Sequence, residues 1–130
     1  MDTNGNTKEL IKDLCSRLPY GVIVETPKGN GRVCDINLTI FGIKVGVNIN
    51  PTIRDTFDIE DIRPYLFPLS SMTEEQKEEM NSFNPFKTEE TKTLGDWAIS
   101  LVDFYNKHHF DYHGLIEKGL AIDATDKNIY

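Results

Sequence analysis

The sequence predicts an α+β protein: an N-terminal helix, a small five-stranded β-barrel over about residues 20–69, and helices in the C-terminal part. Three observations carry this. Residues 57–66, Phe-Asp-Ile-Glu-Asp-Ile-Arg-Pro-Tyr-Leu, read as a strand, one tight acidic turn and a short strand opening on Arg63-Pro64. Two β-rich, glycine-punctuated runs precede it, from Gly21 to Glu25 and from Gly31 to Ile49. Apolar residues recur with helical spacing before and after these runs. The natural division is residues 1–70, helix plus barrel, and 71–130, a helical part joined through a linker at about 84–93.

Thr7 is placed to cap a first helix whose stripe is Leu10, Ile11, Leu14, Cys15 and Leu18, with Pro19 as its stop. Tyr20–Glu25 suits a first strand, and Pro27–Gly31 has the residues of a turn. Arg32–Thr39 alternates imperfectly, as a bent strand would. Phe41, Ile43, Val45, Val47 and Ile49 alternate cleanly and put Phe41 on the apolar face of the next strand. Gly42 and Gly46 suit close approach at a corner. Residues 52–59 and 63–66 supply two further strands, with a 3-10 turn at Glu60-Asp61.

Thr73 and Gln76 form a capping-box pattern for a surface helix over 74–83. The strongest helix starts near Thr93 and Asp96 and carries Trp97, Leu101, Phe104 and Tyr105, expected to bury against the barrel or a second copy. His108-His109 should end it. Asp111 is placed to cap a final short helix through Lys118, closed by Gly119 with a Leu115–Leu120 contact.

Bulk properties exclude several classes. Net charge is −7, with 21 acidic against 14 basic side chains, which disfavours binding to duplex nucleic acid. No run of apolar residues is long enough to span a membrane, and Met1–Thr7 lacks the pattern of a signal peptide, so a cytoplasmic location is expected. Cys15 and Cys34 have no CxxC spacing and are expected as buried, reduced thiols.

The chemistry-bearing constellations each have a plain structural explanation. His108, His109 and His113 lie within six residues, but a break near Phe110-Asp111 makes helix capping or ring packing the cheaper account than metal. Asp55, Asp58, Glu60 and Asp61 lack the spacing of a calcium loop. No nucleophile elbow or phosphate-binding loop is present. Arg63, near Phe57 and Tyr65, could clamp an anion or stack a base, and its structural alternative is an ion pair with Glu60 or Asp61. Tyr20, Phe57, Arg63 and Tyr65 are the candidate contacts of a binding rim. Arg32 joins Arg63 as a possible phosphate contact. No cofactor, metal ligand or catalytic residue is assigned.

Three phrases carry a resemblance: residues 17–22 (Arg-Leu-Pro-Tyr-Gly-Val), 63–75 (Arg-Pro-Tyr-Leu-Phe-Pro-Leu-Ser-Ser-Met-Thr-Glu-Glu) and 108–121 (His-His-Phe-Asp-Tyr-His-Gly-Leu-Ile-Glu-Lys-Gly-Leu-Ala). Together the chain resembles a family of short uncharacterised proteins carried by phages and mobile elements of gut anaerobes. The family pattern often has Arg where this chain has His113, which argues against a metal-ligand role there. The resemblance implies a small cytoplasmic protein and no activity. Separately, the strand-turn-Arg-Pro ending resembles SH3-like barrels, at the level of fold alone. The expected function is therefore non-enzymatic binding of a protein or peptide partner through the barrel. The alternatives are sequestration of a small nucleotide-derived immune signal, with a homo-oligomer expected, and, last, a metal-assisted hydrolase built on the His108–His113 cluster.

Overall fold

A computed structural model describes residues 4–50, 53–83 and 94–130. Helix α1 spans Asn4–Arg17, so it begins before Thr7. Leu10 and Leu14 are buried, and Ile11 and Leu18 pack against the same core. A 3-10 turn, Leu18–Tyr20, follows and ends at Gly21 in the left-handed region, φ 67°.

Five strands follow, β1 Ile23–Thr26, β2 Gly29–Thr39, β3 Gly42–Asn50, β4 Ile53–Asp58 and β5 Arg63–Leu66, with β1–β2, β2–β3, β3–β4 and β1–β5 paired antiparallel. A sixth, β6 Ile122–Asp123, pairs in parallel with β5. A 3-10 turn at Ile59–Asp61 separates β4 from β5, where the sequence placed it. The sheet order is β4-β3-β2-β1-β5-β6, an open sheet rather than the closed five-stranded barrel expected. The reason lies at β5. Its outer edge is taken by β6 and by a parallel bridge between Phe67 and Phe110, so no edge remains for β4 to close upon.

The first two hairpins share one turn device. In Thr26-Pro-Lys-Gly29 and Thr39-Ile-Phe-Gly42 the threonine hydroxyl donates to the glycine carbonyl, at 2.6 and 2.8 Å. It also accepts the N–H two residues on, at 3.1 Å in each case. The glycines take φ of 126° and 110°, conformations a side chain rarely tolerates. Phe41 consequently sits in the second turn, 81% exposed, and not in the core as its alternation suggested. Val45 and Val47 do lie in the core, with Val22, Val24, Val33, Ile62, Leu66 and Leu115. Each such side chain contributes about 1.5–3 kcal/mol on removal from water. Both cysteines are exposed, correcting the expectation of burial. Cys15 lies on the outer side of α1, and Cys34 sits where the β2–β3 register shifts between Val33 and Asp35.

Helix α2, Glu74–Asn81, carries the expected capping box at Thr73 and Gln76 and buries no residue. The expected linker at 84–93 and Thr93 lie outside the described residues. Helix α3 spans Leu94–Lys107. Of its expected core residues Phe104 is buried, among the rings of Phe83, Tyr105, His108 and Phe110, while Trp97, Leu101 and Tyr105 are half-buried.

Helix α3 ends in a Schellman turn. Phe110 N–H donates to Tyr105 O at 2.8 Å and His109 N–H to Asn106 O at 3.2 Å. His109 therefore occupies the left-handed position, φ 60°, that glycine usually fills. A second such turn closes at Gly119, where Leu120 N–H reaches Leu115 O. Asp111 receives the N–H groups of Leu115 and Ile116, as a cap would, but the segment between is a run of turns and not the short helix expected.

One buried ion pair ties these parts together. Arg17 and Asp13 are both wholly buried on α1. Arg17 Nε and Nη2 donate to the Asp13 carboxylate at 2.7 and 2.9 Å, and Nη2 also donates to Phe110 O at 2.5 Å. Removing one partner would leave a buried charge without a counter-ion. Asp13→Ala is therefore expected to lower unfolding free energy by about 3–5 kcal/mol in urea titration, whereas the joint replacement Asp13→Leu with Arg17→Met costs much less.

Candidate ligand groove

The β1–β2–β3 registers place Ile23 opposite Arg32 and Arg32 opposite Asn48, and β4 continues the row with Arg54. Directly opposed residues of an antiparallel pair share a face. Arg32 thus lies on the solvent side of the sheet, flanked by an aliphatic and an amide side chain. Arg32 lines a groove of about 450 Å³ together with Ile23, Asn30, Asn48, Ile49, Asn128 and Ile129.

The four arginines divide by partner. Arg17 is held by Asp13. Arg54 forks onto Asp35 at 2.6–2.9 Å, and that guanidinium holds the Asp35 carboxyl below its usual range. Arg63 pairs with Glu25 across the β1–β5 register at 2.9 Å, and not with Glu60 or Asp61 as expected. Arg32 donates to a neutral acceptor, Gly21 O, at 2.6 Å. Among the described residues it alone of the four has no carboxylate partner. A guanidinium carries five N–H donors, so most of its capacity remains open.

Tyr65 contributes indirectly. Its ring is buried and its hydroxyl donates to Asn30 Oδ1 at 3.0 Å, which leaves the Asn30 amide N–H groups as the donors available to the groove. The other expected rim residues are elsewhere. Phe57 belongs to the core. Tyr20 lines a separate depression with Phe83, Phe104 and Lys107. The five residues singled out from the sequence therefore do not form one rim: Arg32 is in the groove, Tyr65 supports it, and Arg63, Phe57 and Tyr20 are not part of it.

The three histidines also separate. His108 Nε2 meets Glu79 at 3.2 Å and His113 Nδ1 meets Asp13 at 2.8 Å. His109 stacks on Tyr130, ring centroids 3.9 Å apart. Among the described residues no three His, Cys, Asp or Glu side chains converge as metal ligands do. Of the acidic turn residues, Asp55 pairs with Lys28 and Asp58 with Lys44. No described helix is long and apolar enough to cross a membrane.

Ile129 and Asn128 escaped sequence reasoning because only the tertiary path of the closing segment brings them beside β1. Asn30 and Asn48 left a weak signal, as polar positions within strands.

Comparison with protein-family models, with curated proteins and with solved structures returns no match.

His109 gives this region a pH dependence. Burial pushes its imidazole down to about 4, with Arg17, Arg32 and His108 adding repulsion and Asp13 opposing them. The unfolded chain binds a proton near pH 6.5 that the folded chain refuses until about pH 4. Stability is thus fully present above pH 6.5 and falls, by up to about 3 kcal/mol, as pH drops through 4. Urea titrations from pH 7 to 4 should show this slope, and His109→Asn, which tolerates the left-handed backbone, should flatten it.

Proposed function

We propose that this is a non-enzymatic binding protein whose groove takes an acidic segment of a protein partner. The observation that carries this reading is Arg32. In a chain of net charge −7, three arginines are matched by carboxylates and the fourth is left open at a concave site. Charge-assisted hydrogen bonds from a guanidinium to a carboxylate are strong and directional. The amides of Asn30, Asn48 and Asn128 suit a peptide backbone, and Ile23, Ile49 and Ile129 suit an aliphatic neighbour of the acidic residue. The order β4-β3-β2-β1-β5, with a 3-10 turn before the last strand, is also the order of SH3-like modules, which supports a binding role by analogy of fold.

The alternative, sequestration of a nucleotide-derived signal, has less behind it. Among the described residues no aromatic ring lines the groove to stack a base, and Arg63, the second phosphate contact it required, is occupied by Glu25. The resemblance to phage and mobile-element proteins supplies a setting for either reading, an element-bearing or infected cell.

Selection from a random peptide display library is the test. Sequences with Asp or Glu beside an aliphatic residue should be enriched, and calorimetry of the best peptide should show Arg32→Gln weakening it about tenfold or more. Enrichment without acidic residues, or equal binding by Arg32→Gln, contradicts the reading. Binding of a cyclic or ADP-ribose-type nucleotide in the same calorimeter, with no peptide selected, favours the alternative.

A further inference from the structure

Residue Tyr130 is seated in a site built for its side chain. The β1–β5 register pairs Glu25 with Arg63 and Val24 with Pro64, so Ile23 and Tyr65 are the next opposed pair. A phenol hydroxyl stands between them. It accepts from Ile23 N–H at 2.9 Å and donates to Tyr65 O at 2.8 Å, completing the rung that the two strands do not make directly. The ring lies nearly parallel to His109, 14° between planes, and is tilted against Phe67 at 5.9 Å. The residue as a whole is 41% exposed, while burial of the hydroxyl pushes its pKa up to about 12 and keeps it a donor.

The site is held by elements other than the segment that fills it. Ile23 and Tyr65 belong to the sheet, and His109 is fixed by the Schellman turn of α3. The filling segment is by contrast lightly attached. Ala124 N–H bonds to Leu66 O and Lys127 N–H turns back to Ala124 O, but among the described residues Asn128 and Ile129 make no hydrogen bond, and Asp126 and Asn128 take φ of 65° and 51°. A side-chain hydroxyl bonded on both sides, a stacked ring and a loosely tied backbone describe a ligand on a tether.

We propose that Ile23 N–H, Tyr65 O and the rings of His109 and Phe67 form a recognition site for a tyrosine side chain, filled here by the chain's own Tyr130. Its occupancy governs two neighbouring spaces. Asn128 and Ile129 wall the Arg32 groove, while Thr125, Asp126 and Tyr130 wall a second cavity of about 440 Å³ that reaches Lys107 and Gln76. The site stands whether or not the groove binds peptide.

Chemical rescue tests it in the full chain. Tyr130→Ala should lower Tm by about 10 °C. p-Cresol should restore most of that loss saturably, while toluene, the same shape without a hydroxyl, restores much less. By NMR, the His109 titration should rise toward 6.5 in Tyr130→Ala and return toward 4 with p-cresol. Tyr130→Phe, which keeps the stack, should speed hydrogen exchange at the Ile23 amide at least about tenfold. The proposal is overturned if p-cresol does no more than toluene, or if Tyr130→Ala matches the parent chain. Should Tyr130→Ala fail to fold, failure of p-cresol to restore its circular dichroism spectrum overturns it equally. Arg32→Gln combined with Tyr130→Ala should leave the p-cresol effect intact, which separates this site from the peptide reading.

Discussion

Burying a full guanidinium is the constraint from which the arrangement of this fold follows. Stripping water from an ion costs several kcal/mol, and the cost is met only where geometry is close to ideal. Arg17 meets it with a forked contact to Asp13, a bond to Phe110 O, and the face of Tyr112, 5.3 Å from the guanidinium carbon. Asp13 adds His113 as a further donor. Helix α1 is thereby locked against the turn at 110–113, whatever the local preferences of either segment. Among the described residues, the buried Arg17 Nη1 and His109 Nδ1 find no hydrogen-bond partner. Burial, reinforced by repulsion from Arg17, keeps His109 neutral.

From that lock the sheet architecture follows. The turn held by Arg17 continues into a bridge with Phe67, where Phe67 N–H bonds to His109 O and Asp111 N–H to Phe67 O. The chain then returns to lay β6 along Tyr65 and Leu66. Strand β5 is thus covered along its outer edge, and the sheet stays open. At the other end, β4 blunts its own edge: the Asp55 carboxylate accepts Thr56 N–H and pairs with Lys28, both of which lower its pKa. Arg32, the one arginine without a carboxylate partner among the described residues, sits on the solvent face of the central strands.

Much of this was legible in the sequence. The helical stripe of α1, the five antiparallel strands, the 3-10 turn between Phe57 and Arg63, the capping box at Thr73 and the Leu115–Leu120 closure are local patterns, set by side-chain period and turn chemistry. What could not be read is what depends on long-range pairing. Barrel closure was excluded by β6, two residues whose composition says nothing of strand. Phe41 alternates with Ile43 and Val45 as a strand residue should, yet the Thr-x-x-Gly device at Thr39–Gly42, repeated from Thr26–Gly29, places it in a turn. Recurrence of that four-residue pattern was the signal that could have found it. Arg63 has acidic neighbours in sequence at Glu60 and Asp61, yet its partner, Glu25, lies across the sheet. Nothing in the sequence sets Arg32 apart from the other arginines; its distinction, having no acidic partner among the described residues, belongs to the fold.

The functional account rests on that distinction, and side-chain NMR of the arginine Nε–H groups measures it directly. On titration with N-acetylglutamate amide the Arg32 resonance should move saturably, while those of Arg54 and Arg63, held by Asp35 and Glu25, stay in place. A stationary Arg32 resonance, or linear movement of all three together, would contradict the account.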